Sequence, residues 1–258
     1  MPATPDDHRL ARDLAEEAGR LLLDLRAELT ARGADGAELK AEGDRRSHEL
    51  LMARLREERP DDAILSEEGA DGVGPSDTGR LGAARVWIVD PLDGTREYSE
   101  PPRDDWAVHV ALVEGGTPIA GAVALPAQGR TLATDPATPT PGPPPARPRV
   151  IVSRTRPPAV ATYLAEALGG ELVEMGSAGA KASAVVLGAA DVYPHSGGQY
   201  EWDSCAPVAV AAAAGVWVSR IDGSPLRYNN ADPYLPDLLV CHPDLLDAVC
   251  AALDSFDG

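Results

Sequence analysis

The run Trp87-Ile88-Val89-Asp90-Pro91-Leu92-Asp93-Gly94-Thr95 carries an apolar segment straight into two carboxylates, with a glycine and a threonine behind them. Val86 to Val89 reads as a central strand. Pro91 fixes φ and has no N–H, so the chain turns sharply as it leaves that strand and can aim Asp90 and Asp93 at one point. Leu92 offers its carbonyl oxygen there. Gly94 permits positive φ or a close approach, and Thr95 suits the cap of a following helix. Carboxylates gathered where strands end are hard oxygen ligands of the kind Mg²⁺ accepts. Two such ions sharing a carboxylate would bind phosphate, activate water and stabilise a leaving oxygen. The same residues also fit a plain turn, because Asp-Pro and Asp-Gly pairs are common punctuation.

Other acidic groups stand where they could join this pair. Glu67-Glu68 follows the short apolar run Ala63-Ile64-Leu65, and in an extended segment Glu68 points away from its neighbour. Glu201-Trp202-Asp203 opens an alanine-rich stretch that reads as a helix over 203–214 with Gly215 as its cap. Asp203 then lies in a first helical turn, where the macrodipole favours its charge. Glu201 fits either a substrate contact or a salt bridge. Gly176-Ser177-Ala178-Gly179-Ala180-Lys181 joins a short strand to a helix, and its small residues allow the backbone to approach a ligand. Ser153-Arg154 follows another strand, and His195 with Gly197-Gly198 fills the loop before Glu201. His195 lacks a companion at zinc-ligand spacing. His109, within the strand from Trp106 to Val113, reads as structural. No serine, cysteine or histidine has a partner arrangement typical of a covalent nucleophile.

Around these motifs the chain alternates between helical and strand periods. Helices are expected over 6–31, 45–59, 158–168, 180–187 and 243–253. Trp106–Val113 and Ile119–Leu125 flank Glu114-Gly115-Gly116 as an antiparallel hairpin, and 131–133 adds an edge strand. Further strands are expected at 150–152, 172–173, 192–193, 216–219 and 238–241. Residues 69–84, with five glycines, read as a loop. Residues 135–149 hold seven prolines and little apolar material. They are the expected mobile loop or linker between an N-terminal metal-binding lobe (1–134) and a C-terminal substrate-binding lobe (150–258). Trp87 and Trp217 sit in strand-like runs and are expected in the core. Trp202, beside Asp203, is expected to wall the site.

Composition narrows the function classes. A formal net charge of −18 disfavours a nucleic-acid polymer as partner. A single phenylalanine, Phe256, leaves no aromatic platform for stacked bases of a strand. A small anionic substrate remains compatible, since bound divalent cations reverse the local field. Three cysteines without metal-ligand spacing and no signal peptide point to reduced thiols in a cytoplasmic setting. No stretch is long and apolar enough to span a bilayer.

Three separated motifs, Ser66-Glu67-Glu68, Trp87 to Thr95 and Glu201 to Pro207, together resemble the inositol-monophosphatase-like superfamily of lithium-sensitive, Mg²⁺-dependent phosphatases. The resemblance covers nearly the whole chain. Arg103 to His109 and Asp222 to Asn229 are most similar to its 3'(2'),5'-bisphosphate nucleotidase branch, the CysQ group, in its actinobacterial form.

The resemblance implies a layered α-β-α-β-α fold with mixed and antiparallel sheets, and two or three Mg²⁺ ions. Glu67, Asp90, the Leu92 carbonyl, Asp93 and Asp203 would be the ligands, with Asp90 bridging. Asp44 would pair with Thr95 and, with Glu67, serve the attacking water. Substrate would meet Asp93, Gly94, Thr95, Arg154, Ser177, Lys181, His195, Glu201 and Asp203, with Arg154 near a second phosphate. The implied reaction is hydrolysis of adenosine 3',5'-bisphosphate to AMP and phosphate, in sulfate assimilation or recycling of that nucleotide. Inositol-1-phosphate and fructose 1,6-bisphosphate are alternative substrates, and a non-catalytic phosphate-binding protein is a third reading. Homodimers are common in the family, so a dimer is the implied assembly.

Overall fold

The computed structural model describes residues 3–69 and 78–256. It begins with two long helices, α1 (Pro5–Ala31) and α2 (Gly36–Glu58). Leu10, Leu14, Leu22, Leu25 and Leu29 bury one stripe of α1, with Ala11, Ala15 and Ala18 between them. A 3.6-residue period dictates such a stripe. The second helix starts nine residues before the expected position 45. Asp35 caps it by accepting a hydrogen bond from the Glu38 N–H at 2.9 Å. Its first two turns are polar and carry no apolar period, which is why they do not read as helix from sequence.

Among the described residues, ten strands form two five-stranded sheets. The first holds β1 (Ala63–Ser66), β2 (Arg85–Asp93), β3 (Ala107–Glu114), β4 (Thr117–Leu125) and β5 (Arg130–Ala133), in that spatial order. β1 runs parallel to β2, and the other pairs are antiparallel. A short helix, α3 (Thr95–Tyr98), follows β2. The second sheet is built from β6 (Arg149–Ser153), β7 (Glu171–Met175), β8 (Val192–Tyr200), β9 (Trp217–Ser219) and β10 (Tyr234–Cys241), in the order β7-β6-β8-β10-β9. Four helices serve it: α4 (Ala159–Ala167), α5 (Ala178–Val186), α6 (Glu201–Ala213) and α7 (Leu246–Leu253).

The period-2 alternation of the strands sorts their side chains into layers. Trp87, Val89, Val108, Val110 and Leu112 pack on α1 and α2. Val86, Ile88, Ala111 and Val113 face the other way, onto α5 and α6. Ile151, Tyr193, Leu238 and Val240 of the second sheet close over the same two helices. Val150, Val152, Val192 and Leu239 turn outward to α4 and α7. The result is the expected α-β-α-β-α sandwich, and its central helical layer belongs to both sheets.

Several expectations are corrected. β8 is nine residues long, where only Val192-Tyr193 read as strand. Pro194 and Gly197-Gly198 conceal it in the sequence, and the antiparallel ladder with β10 enforces it. Trp217 is 42% exposed on the short edge strand β9, not in the core. Of the expected 69–84 loop, 70–77 lie outside the described residues, and 79–82 form a short 3₁₀ turn with buried Arg80. The stretch 135–149 is irregular and largely exposed. It meets the body where the Gly142 carbonyl lies 3.0 Å from His242 Nε2. Among the described residues no helix is long and apolar enough to cross a membrane.

Candidate active site

The end of β2 and the start of α6 meet where the central helical layer abuts the first sheet. Carboxylate oxygens of Asp90, Asp93 and Asp203 lie within 4.8 Å of one another. The register break of β2 against β3 falls between Asp90 and Asp93. It coincides with the Pro91 turn, which the Leu92 N–H closes by donating to Asp90 Oδ1 at 3.1 Å. Ser47 on α2 donates to the Pro91 carbonyl at 2.6 Å and fixes the turn from behind. Gly94 follows with φ +81°, a left-handed backbone that favours glycine.

Asp203 is held differently. It is the third residue of α6, and its Oδ2 accepts the Tyr200 N–H at 2.6 Å. Burial raises its pKa to about 6, and the neighbouring Asp93 charge adds to the shift. Asp90 is fully enclosed and is pushed well above the carboxylate range, by burial first and then by Glu67 and Asp93. Glu67, just past β1, lies outside the tight trio. Desolvation, then the charges of Asp203, Glu68, Asp44 and Asp93, push it up to about 8. Four acidic groups thus crowd one another at a cost that a bound cation would relieve.

Asp93 is the exception, and His109 is the reason. Burial would raise its pKa, but the His109 charge, the Ser177 hydroxyl and the Gly179 N–H hold it at about 2. Ser177 Oγ donates to Asp93 Oδ2 at 2.5 Å, and the N–H groups of Ala178 and Gly179 donate to its two oxygens at 3.1 and 2.6 Å. His109 Nε2 stands 3.2 Å from Oδ2, off the axis of a proper hydrogen bond. Its Nδ1 donates to the Trp202 carbonyl at 3.0 Å. Burial pulls the imidazole pKa down, and Asp93 more than reverses that. The sequence reading of His109 as merely structural missed this role. The available signal was its odd-numbered place on β3, which turns it toward α5 and α6.

Asp44 reaches the site from mid-α2. Gly43 makes that possible: a Cβ there would lie 2.8 Å from Leu92 Cδ2 and 2.9 Å from Tyr98, so no other residue lets the helix come so near. Asp44 Oδ1 lies 3.5 Å from Thr95 Oγ1, whose nearer partner is the Leu92 carbonyl at 3.1 Å. Burial, with the Glu68 charge, raises the Asp44 pKa to about 7.

The other bank of the site is a cleft of two adjoining cavities, of about 420 and 280 Å³. Gly94, Ser153, Arg156, Ser177 and Lys181 line both. His195, Tyr200 and Tyr234 wall the larger one. Cavities of this size suit a small molecule. Lys181 is buried, and its Nζ donates to the carbonyls of Gly176 and Ser177 at 2.9 and 2.7 Å. His195 Nε2 lies 3.0 Å from the Gly198 carbonyl, which orients the ring. Asp105, in the Arg103–His109 motif, accepts the Gly176 N–H at 2.6 Å and so positions the turn that carries Ser177.

Three expected contacts find other work. Glu201 is fully buried. One of its oxygens accepts the Asn229 N–H at 2.6 Å, and the other accepts the Asn230 N–H and Nδ2 at 2.7 and 2.8 Å. It therefore holds a loop and lines neither cavity. Arg154 lines the smaller cavity, but its guanidinium is taken by Glu97 and Glu100, each at 2.7 Å. Trp202 lies in the core, stacked on Tyr200 with ring centroids 4.7 Å apart. Tyr200, not Trp202, faces the cleft.

A five-layered α/β sandwich with acidic groups converging at a strand end, beside a cleft sized for a small molecule, defines the class as a phosphatase-type layered fold. The sequence profile of the inositol monophosphatase family matches residues 7–136 and 149–255, and the chain belongs to that family. It is 51% identical over 246 residues to the 3'-phosphoadenosine 5'-phosphate phosphatase of Mycobacterium bovis, covering 92% of this chain and 89% of that one. The 3'(2'),5'-bisphosphate nucleotidase CysQ of Escherichia coli is 32% identical over 207 residues, 73% of this chain and 79% of the relative. Among solved structures, CysQ from Bacteroides thetaiotaomicron superposes with a TM-score of 0.75 at 28% identity, over 92% of this chain and 97% of that one.

Proposed function

We propose that this protein is a Mg²⁺-dependent phosphatase that hydrolyses adenosine 3',5'-bisphosphate to AMP and phosphate. The observation that carries the reading is the convergence of Asp90, Asp93 and Asp203 within 4.8 Å, in a chain half identical to a phosphatase named for that nucleotide. The donor set is all hard oxygen, which fits Mg²⁺ and not the nitrogen and sulfur preference of Zn²⁺. Asp90, Asp93, Asp203, Glu67 and the Leu92 carbonyl would hold the ions, two or three in number. Bound Mg²⁺ would supply charge neutralisation at the phosphate and an acidified water.

The residues then divide the remaining work. The Leu92 carbonyl would hold a cation, which would leave the Thr95 hydroxyl to Asp44. Thr95 accepts a proton from the attacking water while passing its own to Asp44. Burial raises the Asp44 pKa above the ordinary carboxylate value, which makes it a better proton acceptor. The N–H groups of Gly94 and Thr95 orient the phosphate. Water attacks phosphorus, the bond from phosphorus to O3' breaks, and O3' takes a proton from a solvent water, to whose hydroxide Asp44 returns the proton it accepted. No phosphoenzyme is needed. Ser177 Oγ is bound to Asp93, and the Thr95 hydroxyl lies between Leu92 and Asp44.

Phosphate release is to be measured on adenosine 3',5'-bisphosphate, inositol-1-phosphate and fructose 1,6-bisphosphate, each with and without Mg²⁺. The expected result is Mg²⁺-dependent turnover with the highest kcat/KM on the bisphosphate nucleotide. A higher kcat/KM on inositol-1-phosphate would overturn the substrate, and Mg²⁺-independent turnover would overturn the chemistry.

A further inference from the structure

A bisphosphate presents two anions, and the carboxylate cluster with its cations accounts for one. The second must meet a cation that is not already neutralised, because Asp93 and Asp203 border the same cleft. Four basic side chains line the two cavities: Arg96, Arg154, Arg156 and Lys181. Arg154 is neutralised by Glu97 and Glu100. Lys181 is 5% exposed, and its ammonium is spent on two carbonyls at its own helix start. Arg96 borders only the smaller cavity. Arg156 is exposed, lines both cavities and has no ion-pair partner among the described residues. It shares the larger cavity with His195, Asp93 and Asp203.

Resting on the nucleotidase reading, we infer that Arg156 binds the second phosphate of the substrate and is the residue that distinguishes a bisphosphate from a monophosphate. Arginine suits the task because its planar fork contacts two phosphate oxygens at once, whereas an ammonium acts as a point charge. The neighbouring Arg154 has another role. It ties the strand end after β6 to Glu97 on α3, and so holds the 153–156 segment in position beneath the arginine that binds. The short spacing Arg154-Thr155-Arg156 thus separates a fastening arginine from a binding one.

The test compares the unmodified enzyme with R156A and R156K on adenosine 3',5'-bisphosphate and inositol-1-phosphate at saturating Mg²⁺. R156A is expected to raise KM for the bisphosphate about 10- to 100-fold. The accompanying loss in kcat/KM should exceed that on inositol-1-phosphate at least about tenfold. R156K should fall between, since it keeps the charge and loses the fork. The same order should appear in inhibition by AMP, which carries the second phosphate but not the scissile one. Equal losses on both substrates, or none on the bisphosphate, would overturn the inference while leaving the nucleotidase reading intact. An unmodified enzyme that turns over inositol-1-phosphate but not the bisphosphate would defeat that reading and the inference with it.

Discussion

The two banks of the cleft are built on opposite principles. On the carboxylate bank, Asp90, Asp93 and Asp203 present charged side chains to one point, and their mutual repulsion is countered most fully at Asp93, by His109 and the start of α5. On the substrate bank most polar atoms already have partners: Lys181 on carbonyls, Arg154 on glutamates, His195 on Gly198. The first bank stores unrelieved charge and is expected to respond sharply to substitution and to cations. The second is satisfied without ligand, so its selectivity rests on the few groups left free.

The largest expected effect follows on the charged bank. D93N and D203N should each lower kcat/KM about a thousandfold at saturating Mg²⁺, because an amide is a poorer ligand for a cation that stabilises transition-state charge by several kcal/mol. Far-UV circular dichroism should remain native. Losses under tenfold would erase the contrast between the banks.

Next in size, T95A and D44N should reduce kcat about a hundredfold with little change in KM, as expected for groups acting on the water. An effect confined to KM would move Thr95 to phosphate binding alone. H109Q should weaken the apparent Mg²⁺ affinity about tenfold, the lower end for a residue that supports a ligand without being one. Unchanged Mg²⁺ dependence would reduce His109 to packing.

The smallest effect concerns stability. The pKa values of Asp203, Asp44 and Glu67 are raised in the folded protein, to about 6, 7 and 8. Over that range the folded state binds protons that the unfolded state has lost, so stability falls as pH rises. Without Mg²⁺, Tm should therefore decline from pH 5 to pH 8, and saturating Mg²⁺ should flatten the slope. A Tm that rises over this interval without metal would contradict the crowding of the acidic groups.

The charged bank was also the more legible one. Asp90, Asp93 and Asp203 stand at a strand end and a helix start, where local pattern and chemistry coincide. Asp44 was legible only through resemblance, because the start of α2 has no apolar period and the closeness of Gly43 to Leu92 is a tertiary fact. His109 looked like one polar residue in an apolar strand, and only the register of β3 against β2 brings it beside Asp90 and Asp93. Glu201 and Arg154 carry charges that suit a substrate, but partners at 229–230 and 97–100 claim them, and such long-range pairings have no local signature. Trp217 misled for the reverse reason. An aromatic β-former fits a strand, but an edge strand three residues long cannot bury it.

The central helical layer has a consequence for how the site comes into being. Asp90 and Asp93 leave the ribosome more than a hundred residues before Asp203. Until α6 docks between the sheets, the first sheet has one apolar face uncovered and Asp203 is absent from the cluster. Closing so long a loop costs chain entropy before the contacts it makes repay it. The carboxylates are thus brought together only when nearly all of the chain is in place. A partly folded chain has no assembled site at which to capture a cation or a nucleotide.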